Sequence, residues 1–116
     1  MGNRVVVVPS QNHPLAATDL YQVFETSDLP GGVINIVSGE REALAKTLAE
    51  HDDVDALWYF GTAAGGKMVE AASAGNLKQT WTEDGAARNW LGAEGQGRSF
   101  LTRATQVKNI WVPYGE

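Results

Sequence analysis

The run Leu57-Trp58-Tyr59-Phe60-Gly61-Thr62-Ala63-Ala64-Gly65-Gly66-Lys67 is an apolar strand that stops at a Gly-Thr turn and continues directly into a helix of small residues. A strand that ends this way brings backbone N–H groups, the positive end of a helix dipole and the Thr62 hydroxyl to one point, a geometry that holds a phosphate oxygen. The same residues also answer a purely local need, because a strand-to-helix turn favours glycine and a capping Thr. At this level both readings of Gly61, Thr62 and Gly66 stand.

Outward from this turn the chain alternates strands and helices, which implies parallel pairing through helical crossovers. Residues 4–8 form a Val run, expected as a strand buried on both faces and ended by Pro9. Pro14 suits the first turn of a helix that reaches about Ser27 with Leu15, Leu20, Val23 and Phe24 on one stripe. Pro30-Gly31-Gly32 is a turn before a second buried strand over 33–37. A helix from Gly39 to about His51 turns Leu44 and Leu48 to the core. A strand over 56–60, a helix over 63–74 and a strand over 77–82 follow. The expected fold class is α/β, an incomplete Rossmann-like parallel sheet with helical crossovers.

Beyond Glu83 the composition becomes loop-like through Asp84-Gly85-Ala86-Ala87-Arg88 and Gly92-Ala93-Glu94-Gly95-Gln96-Gly97. Ser99–Gln106 reads as one short helix, and the alternation of Val107-Lys108-Asn109-Ile110-Trp111-Val112-Pro113 predicts a terminal strand. The expected organisation is a partial cofactor-type domain over 1–90, then a loop, short helix and strand over 91–116.

Composition narrows the function. With 116 residues, 43% of them hydrophobic, and a net charge of −5, the chain makes one domain at most and has no basic stripe for nucleic acid. No apolar run approaches the roughly 18 residues that span a bilayer, and there is no export signal, so the expected location is cytoplasmic. The chain has no cysteine, which excludes disulfides, thiolate metal sites and a cysteine nucleophile.

From Gly2 to Ala74 the chain resembles the cofactor domain of the NAD(P)-dependent aldehyde dehydrogenase superfamily. Asn3-Arg4-Val5-Val6-Val7-Val8-Pro9-Ser10 is similar to its second strand, and Leu29-Pro30-Gly31-Gly32-Val33-Ile34-Asn35-Ile36-Val37 to the next strand with its leader. Asp53-Val54-Asp55 precedes the phosphate-turn strand, and after one deletion Asn76-Leu77-Lys78 leads into the strand that ends at Glu83. Ala104-Thr105-Gln106-Val107-Lys108-Asn109-Ile110-Trp111 resembles the family's C-terminal strand, part of its oligomerisation flap. A complete enzyme inserts a catalytic domain with its cysteine between these pieces. The abbreviated layout is most similar to the C-terminal pseudo-module of family 16 aldehyde dehydrogenases. The family's domain also begins one strand and helix before Gly2-Asn3, which leaves open whether Met1 is the native start.

The resemblance implies a vestigial cofactor site at Pro9, Ser10, Gly61, Thr62 and Gly66. In the family a lysine just before the Pro and an acidic or serine residue two past it hold the adenosine ribose. Here those positions are Val8, which cannot donate to a hydroxyl, and Gln11, a neutral amide. Arg41 replaces the glycine that admits the adenine, and either blocks that slot or stacks on the base. Glu83 matches the family's general base, but in the pattern Glu83-Asp84-Gly85-Ala86 and without a thiol to serve. The expectation is therefore no functional catalytic residue and no bound cofactor, NAD(P) being that of the family.

Other candidates are weaker. His13 and His51 lack metal-ligand spacing, and His51 sits at a helix C-terminus that favours a cation. Asp52, Asp53 and Asp55 share one loop and read as solvated acids, so no metal is expected. Ser10, Ser38, Ser73 and Ser99 show no Gly-x-Ser-x-Gly elbow. Trp58, Trp81, Trp90 and Trp111 read as core and interface anchors. Two functions follow: a non-catalytic structural or oligomerisation fragment of an aldehyde dehydrogenase, or the NAD(P)-binding portion of an aldehyde-oxidising enzyme whose catalytic half lies elsewhere. The expected partners are a second copy, met through Val107, Ile110 and Trp111, and the catalytic module of the parent protein, with neither nucleic acid nor membrane.

Overall fold

The computed structural model describes residues 2–107 and 109–115. Among them run β1 (Val5–Val7), α1 (Leu15–Glu25), β2 (Ile34–Ile36), α2 (Arg41–Glu50), β3 (Ala56–Tyr59), α3 (Ala63–Ala72), β4 (Gln79–Thr82) and α4 (Arg98–Arg103). The strands form two short parallel sheets, with Val5 opposite Ile34 in the first and Trp58 opposite Trp81 in the second. Helix α1 is the crossover of the first pair and α3 that of the second, as parallel strands require. This is the α/β architecture expected from the alternating pattern, in partial form. The chain divides into two compact units, one running from Gly2 to Ala87 and the other holding the residues from Arg88 onward.

In the first unit the core gathers where α2, α3 and β3 meet, around Ala45, Ala49, Tyr59 and Val69, with Leu57, Met68 and Ala72 packed against them. Small residues set this packing: Ala45 and Ala49 of α2 and Gly65 and Gly66 of α3 are buried, whereas Leu44 and Leu48, expected to face the core, are half-buried. Alternation along β3 places Trp58 and Phe60 on the face opposite Tyr59. There Trp81 meets both rings edge-on, at centroid separations of 5.2 and 5.3 Å, a favoured aromatic geometry.

The Val run of β1 is not doubly buried as its composition predicts. Val5 and Val6 are 41% and 48% exposed, because among the described residues β1 has one neighbour strand and α1 contributes no buried residue. The α1 stripe is likewise open, with Leu15, Leu20 and Val23 exposed.

Beyond α3 the chain makes a 3-10 turn at Ser73–Gly75, where the Ser73 hydroxyl is buried and makes no hydrogen bond among the described residues. A buried unpaired hydroxyl costs about 1–3 kcal/mol of desolvation. Ser73→Ala is therefore expected to stabilise by about 1 kcal/mol, seen as a higher urea midpoint at unchanged slope; a lower midpoint would show that the hydroxyl has a partner.

In the second unit the Arg88 guanidinium lies 5.7 Å from the Trp90 ring and 5.5 Å from that of Phe100, and its Nη1 donates to the Glu94 carbonyl at 2.6 Å. This cation–π arrangement collects the loop and α4 around one side chain. The terminal strand expected over 107–113 is absent at the described residues 107 and 109–113, Lys108 lying outside them. A lone extended segment has no ladder to satisfy its backbone, so alternation of side chains alone does not make it a strand. No described helix is long and apolar enough to cross a membrane.

Candidate functional site

Local chemistry builds the Gly-Thr turn as the sequence suggests. Thr62 is the N-cap of α3 in extended conformation, and its Oγ1 accepts the Gly65 N–H at 3.0 Å while its carbonyl accepts the Gly66 N–H at 2.9 Å. The Thr62 hydroxyl oxygen is thus already an acceptor within the turn. The corner after β4 passes over the same helix start: a Cβ added to Gly85, which has φ of +77°, would stand 3.3 Å from Ala63 N. Glu83 closes this corner by accepting the Gly85 N–H on its carbonyl at 2.7 Å. Gly66 backs onto it, since a Cβ there would meet Thr82 Cβ at 3.4 Å and the Glu83 carbonyl at 3.8 Å. Gly61, Thr62, Gly66 and Glu83 are thereby brought together at the carboxyl ends of β3 and β4.

Pro9 and Ser10 lie elsewhere, past the ends of β1 and β2, lining a shallow cavity of about 170 Å³ with Gln11, Pro14, Ser38 and Gly39. A crevice outside the carboxyl ends of parallel strands is where open α/β sheets take ligands. Gln11 does not turn into it unengaged, because its Oε1 accepts the Arg41 N–H at 3.4 Å and so serves the start of α2.

Between the crevice and the turn stands a cluster that sequence reading only half found. Arg41 Nε and Nη2 donate to Glu42 Oε1 at 3.2 and 3.0 Å, and the Tyr59 hydroxyl donates to the same oxygen at 2.6 Å. The Arg41 guanidinium also stands 5.8 Å from the Tyr59 ring centroid. Arg41 was visible as a misplaced cation, whereas Glu42 and Tyr59 were missed. The one available signal was a phenol inside an apolar strand, which must find a hydrogen-bond partner when buried.

Among the described residues no three His, Asp or Glu side chains stand close enough to hold a metal ion. His51 is the C-cap of α2, and its Nδ1 accepts the Asp53 N–H at 3.1 Å.

Residues 1–91 match the aldehyde dehydrogenase family model. The chain is 35% identical over 85 residues to the NADP/NAD-dependent aldehyde dehydrogenase PuuC of Escherichia coli (strain K12), a match covering 72% of this chain and 17% of that protein. Among solved structures it resembles the gamma-glutamyl-gamma-aminobutyraldehyde dehydrogenase from Burkholderia cenocepacia J2315, with 41% identity and a TM-score of 0.65 over 71% of this chain and 17% of that one. It also resembles PnpE from Pseudomonas sp. WBC-3, with 34% identity and a TM-score of 0.67 over 71% of this chain and 17% of that one; PnpE is also solved with nicotinamide adenine dinucleotide. The chain thus spans about a sixth of the length of these relatives, 17% in each. By the extent of the family match, the chain belongs to the aldehyde dehydrogenase family.

Proposed function

We propose that this chain is a non-catalytic aldehyde dehydrogenase module whose work is structural, promoting assembly with a second copy or with the catalytic module of its parent protein. The observation that carries this reading is the lack of any cysteine in its 116 residues. Aldehyde oxidation in the family needs a thiol to attack the substrate, and a carboxylate such as Glu83 relays a proton only beside such a nucleophile. The similarity to a family 16 pseudo-module fits the same reading, as does a cytoplasmic location.

The module holds no NAD(P). Val8 offers the ribose no donor, Gln11 is engaged with the α2 backbone, and Arg41 is committed to Glu42 at the start of that helix. Assembly falls to the terminal segment, where Val107, Ile110 and Trp111 are 83%, 84% and 88% exposed. Aromatic anchors dominate such contacts, and an extended segment gains backbone hydrogen bonds by adding to a partner's sheet.

Light scattering on the intact chain, on a form lacking residues 104–116 and on Trp111→Glu tests this, with titration calorimetry against NAD+ and NADP+ in the same buffer. The expected result is an oligomer for the intact chain, a monomer for both variants, and no saturable heat. An unchanged mass in both variants rejects the assembly role. Micromolar saturable heat instead favours the reading of an NAD(P)-binding portion of an oxidoreductase.

A further inference from the structure

We infer that the Gly61–Gly65 turn is shaped to receive the chain's own Tyr59, and that Arg41, Glu42 and Tyr59 form a bolt that fills the turn and fastens the start of α2 to the end of β3. This inference rests on the reading that the chain holds no dinucleotide, and names what occupies the turn instead.

The glycines carry the argument. A Cβ on Gly61 would stand 2.5 Å from both Cζ and Oη of Tyr59, and a Cβ on Gly65 would stand 2.0 Å from Oη and 2.6 Å from Glu42 Oε2. Such separations are far inside van der Waals contact, so each glycine is the only residue that leaves room for the phenol. A flexible side chain would yield, but Tyr59 cannot do so cheaply. It is 4% exposed, and its hydroxyl is held at 2.6 Å by Glu42 Oε1, which Arg41 holds from the other side. A hydrogen bond to an ionised carboxylate is short and about twice as strong as a neutral one. Gly66 differs, since a Cβ there would meet the Thr82 side chain only at ordinary contact distance and the phenol does not require glycine at that position. Of the two glycines that read as a phosphate cradle, Gly61 is therefore accounted for by a side chain of the protein itself.

Helix propensity turns this into a test of sign. Gly65 lies inside α3, where alanine normally stabilises relative to glycine. With Tyr59 in place the bolt inverts that preference: Gly65→Ala is expected to lower the melting temperature by about 10 °C for a domain of this size. In the Tyr59→Leu background the same substitution is expected to raise it by about 4 °C. Because Tyr59→Leu itself opens the core, Glu42→Ala provides a second background, in which the Tyr59 hydroxyl is released and the Gly65→Ala penalty falls by at least half.

The same melts are repeated with NAD+ at millimolar concentration. No shift is expected for the intact chain. If Gly65→Ala stabilises the intact chain and NAD+ does nothing, the bolt is wrong and the no-nucleotide reading stands. A penalty that stays the same in both backgrounds likewise rejects the bolt. A saturable NAD+-dependent rise in the intact chain overturns both together.

Discussion

Replacing Lys78 by Met is expected to destabilise the chain by about 2–4 kcal/mol, lowering its melting temperature by about 10–20 °C. Lys78 is 9% exposed, and its Nζ donates to the carbonyls of Leu48 at 3.2 Å, Ala49 at 2.6 Å and His51 at 2.7 Å. These carbonyls belong to the end of α2, where the last backbone acceptors have no partner within the helix and the dipole is negative. One ammonium thus satisfies three acceptors and the helix terminus at once. Methionine keeps most of the volume but returns none of the hydrogen bonds, and each bond to a charged group contributes about 1.5–3 kcal/mol, partly shared among the three. Lys46→Met is the matched control: Lys46 reaches Glu50 at 3.7 Å in an exposed i, i+4 pair, which contributes about 0.3–0.5 kcal/mol. Equal melting temperatures for the two variants would show that Lys78 does not cap the helix.

Lys78 also shows where sequence reading reached its limit. In the sequence it belongs to Asn76-Leu77-Lys78, which looks like a polar leader into the fourth strand. Its partners are main-chain atoms 27 to 30 residues earlier, and a carbonyl carries no mark in the sequence. Asn76 acts in the same hidden way, donating from Nδ2 to the Asp52 and Val54 carbonyls at 2.6 and 3.2 Å. Between them Leu77 is held at φ of 58° with its side chain 92% exposed. The Lys78 N–H donates to Asn76 Oδ1 at 3.3 Å across it, so a local turn holds this conformation together with the anchors on either side.

Where the signals were local, sequence and structure agree. Thr62 three residues before Gly65 is a cap written in the chain, and α3 starts immediately after it. The crossover pattern requires parallel pairing, and both pairs are parallel. Burial was less legible, because it depends on what covers a face. The β1 valines have the composition of an interior strand, yet among the described residues only β2 pairs with β1. In α2 the leucines drew attention by size, but close approach to α3 belongs to Ala45 and Ala49. The candidate site divides the same way: Gly61, Thr62, Gly66 and Glu83 converge as the strand ends dictate, whereas the cluster beside them depends on a phenol finding a carboxylate 17 residues earlier in the chain.

The location of the core gives the other large expected effect. Val69→Asp is expected to abolish cooperative unfolding and near-UV ellipticity at neutral pH. Val69 is 0% exposed and packs with Ala45, Ala49 and Tyr59. An ionised carboxylate there would stand among apolar side chains, and burying it costs several kcal/mol even after relaxation. Domains of this size hold about 5–15 kcal/mol in all, and a core that gathers four buried apolar residues among the described ones belongs at the low end. Val69→Ala removes only apolar volume and is expected to cost about 2 kcal/mol, leaving a folded protein with a lower midpoint. The decisive comparison is Val23→Asp in α1, a helix equally apolar in sequence. Val23 is 58% exposed and no residue of its helix is buried, so the same substitution is expected to shift the midpoint by less than about 0.5 kcal/mol. If Val23→Asp proved as damaging as Val69→Asp, α1 would have to pack against the sheet in solution, and the β1 valines would be interior after all. If only Val69→Asp unfolds the chain, its stability resides in α2, α3 and β3, the three elements that meet beneath the Gly-Thr turn.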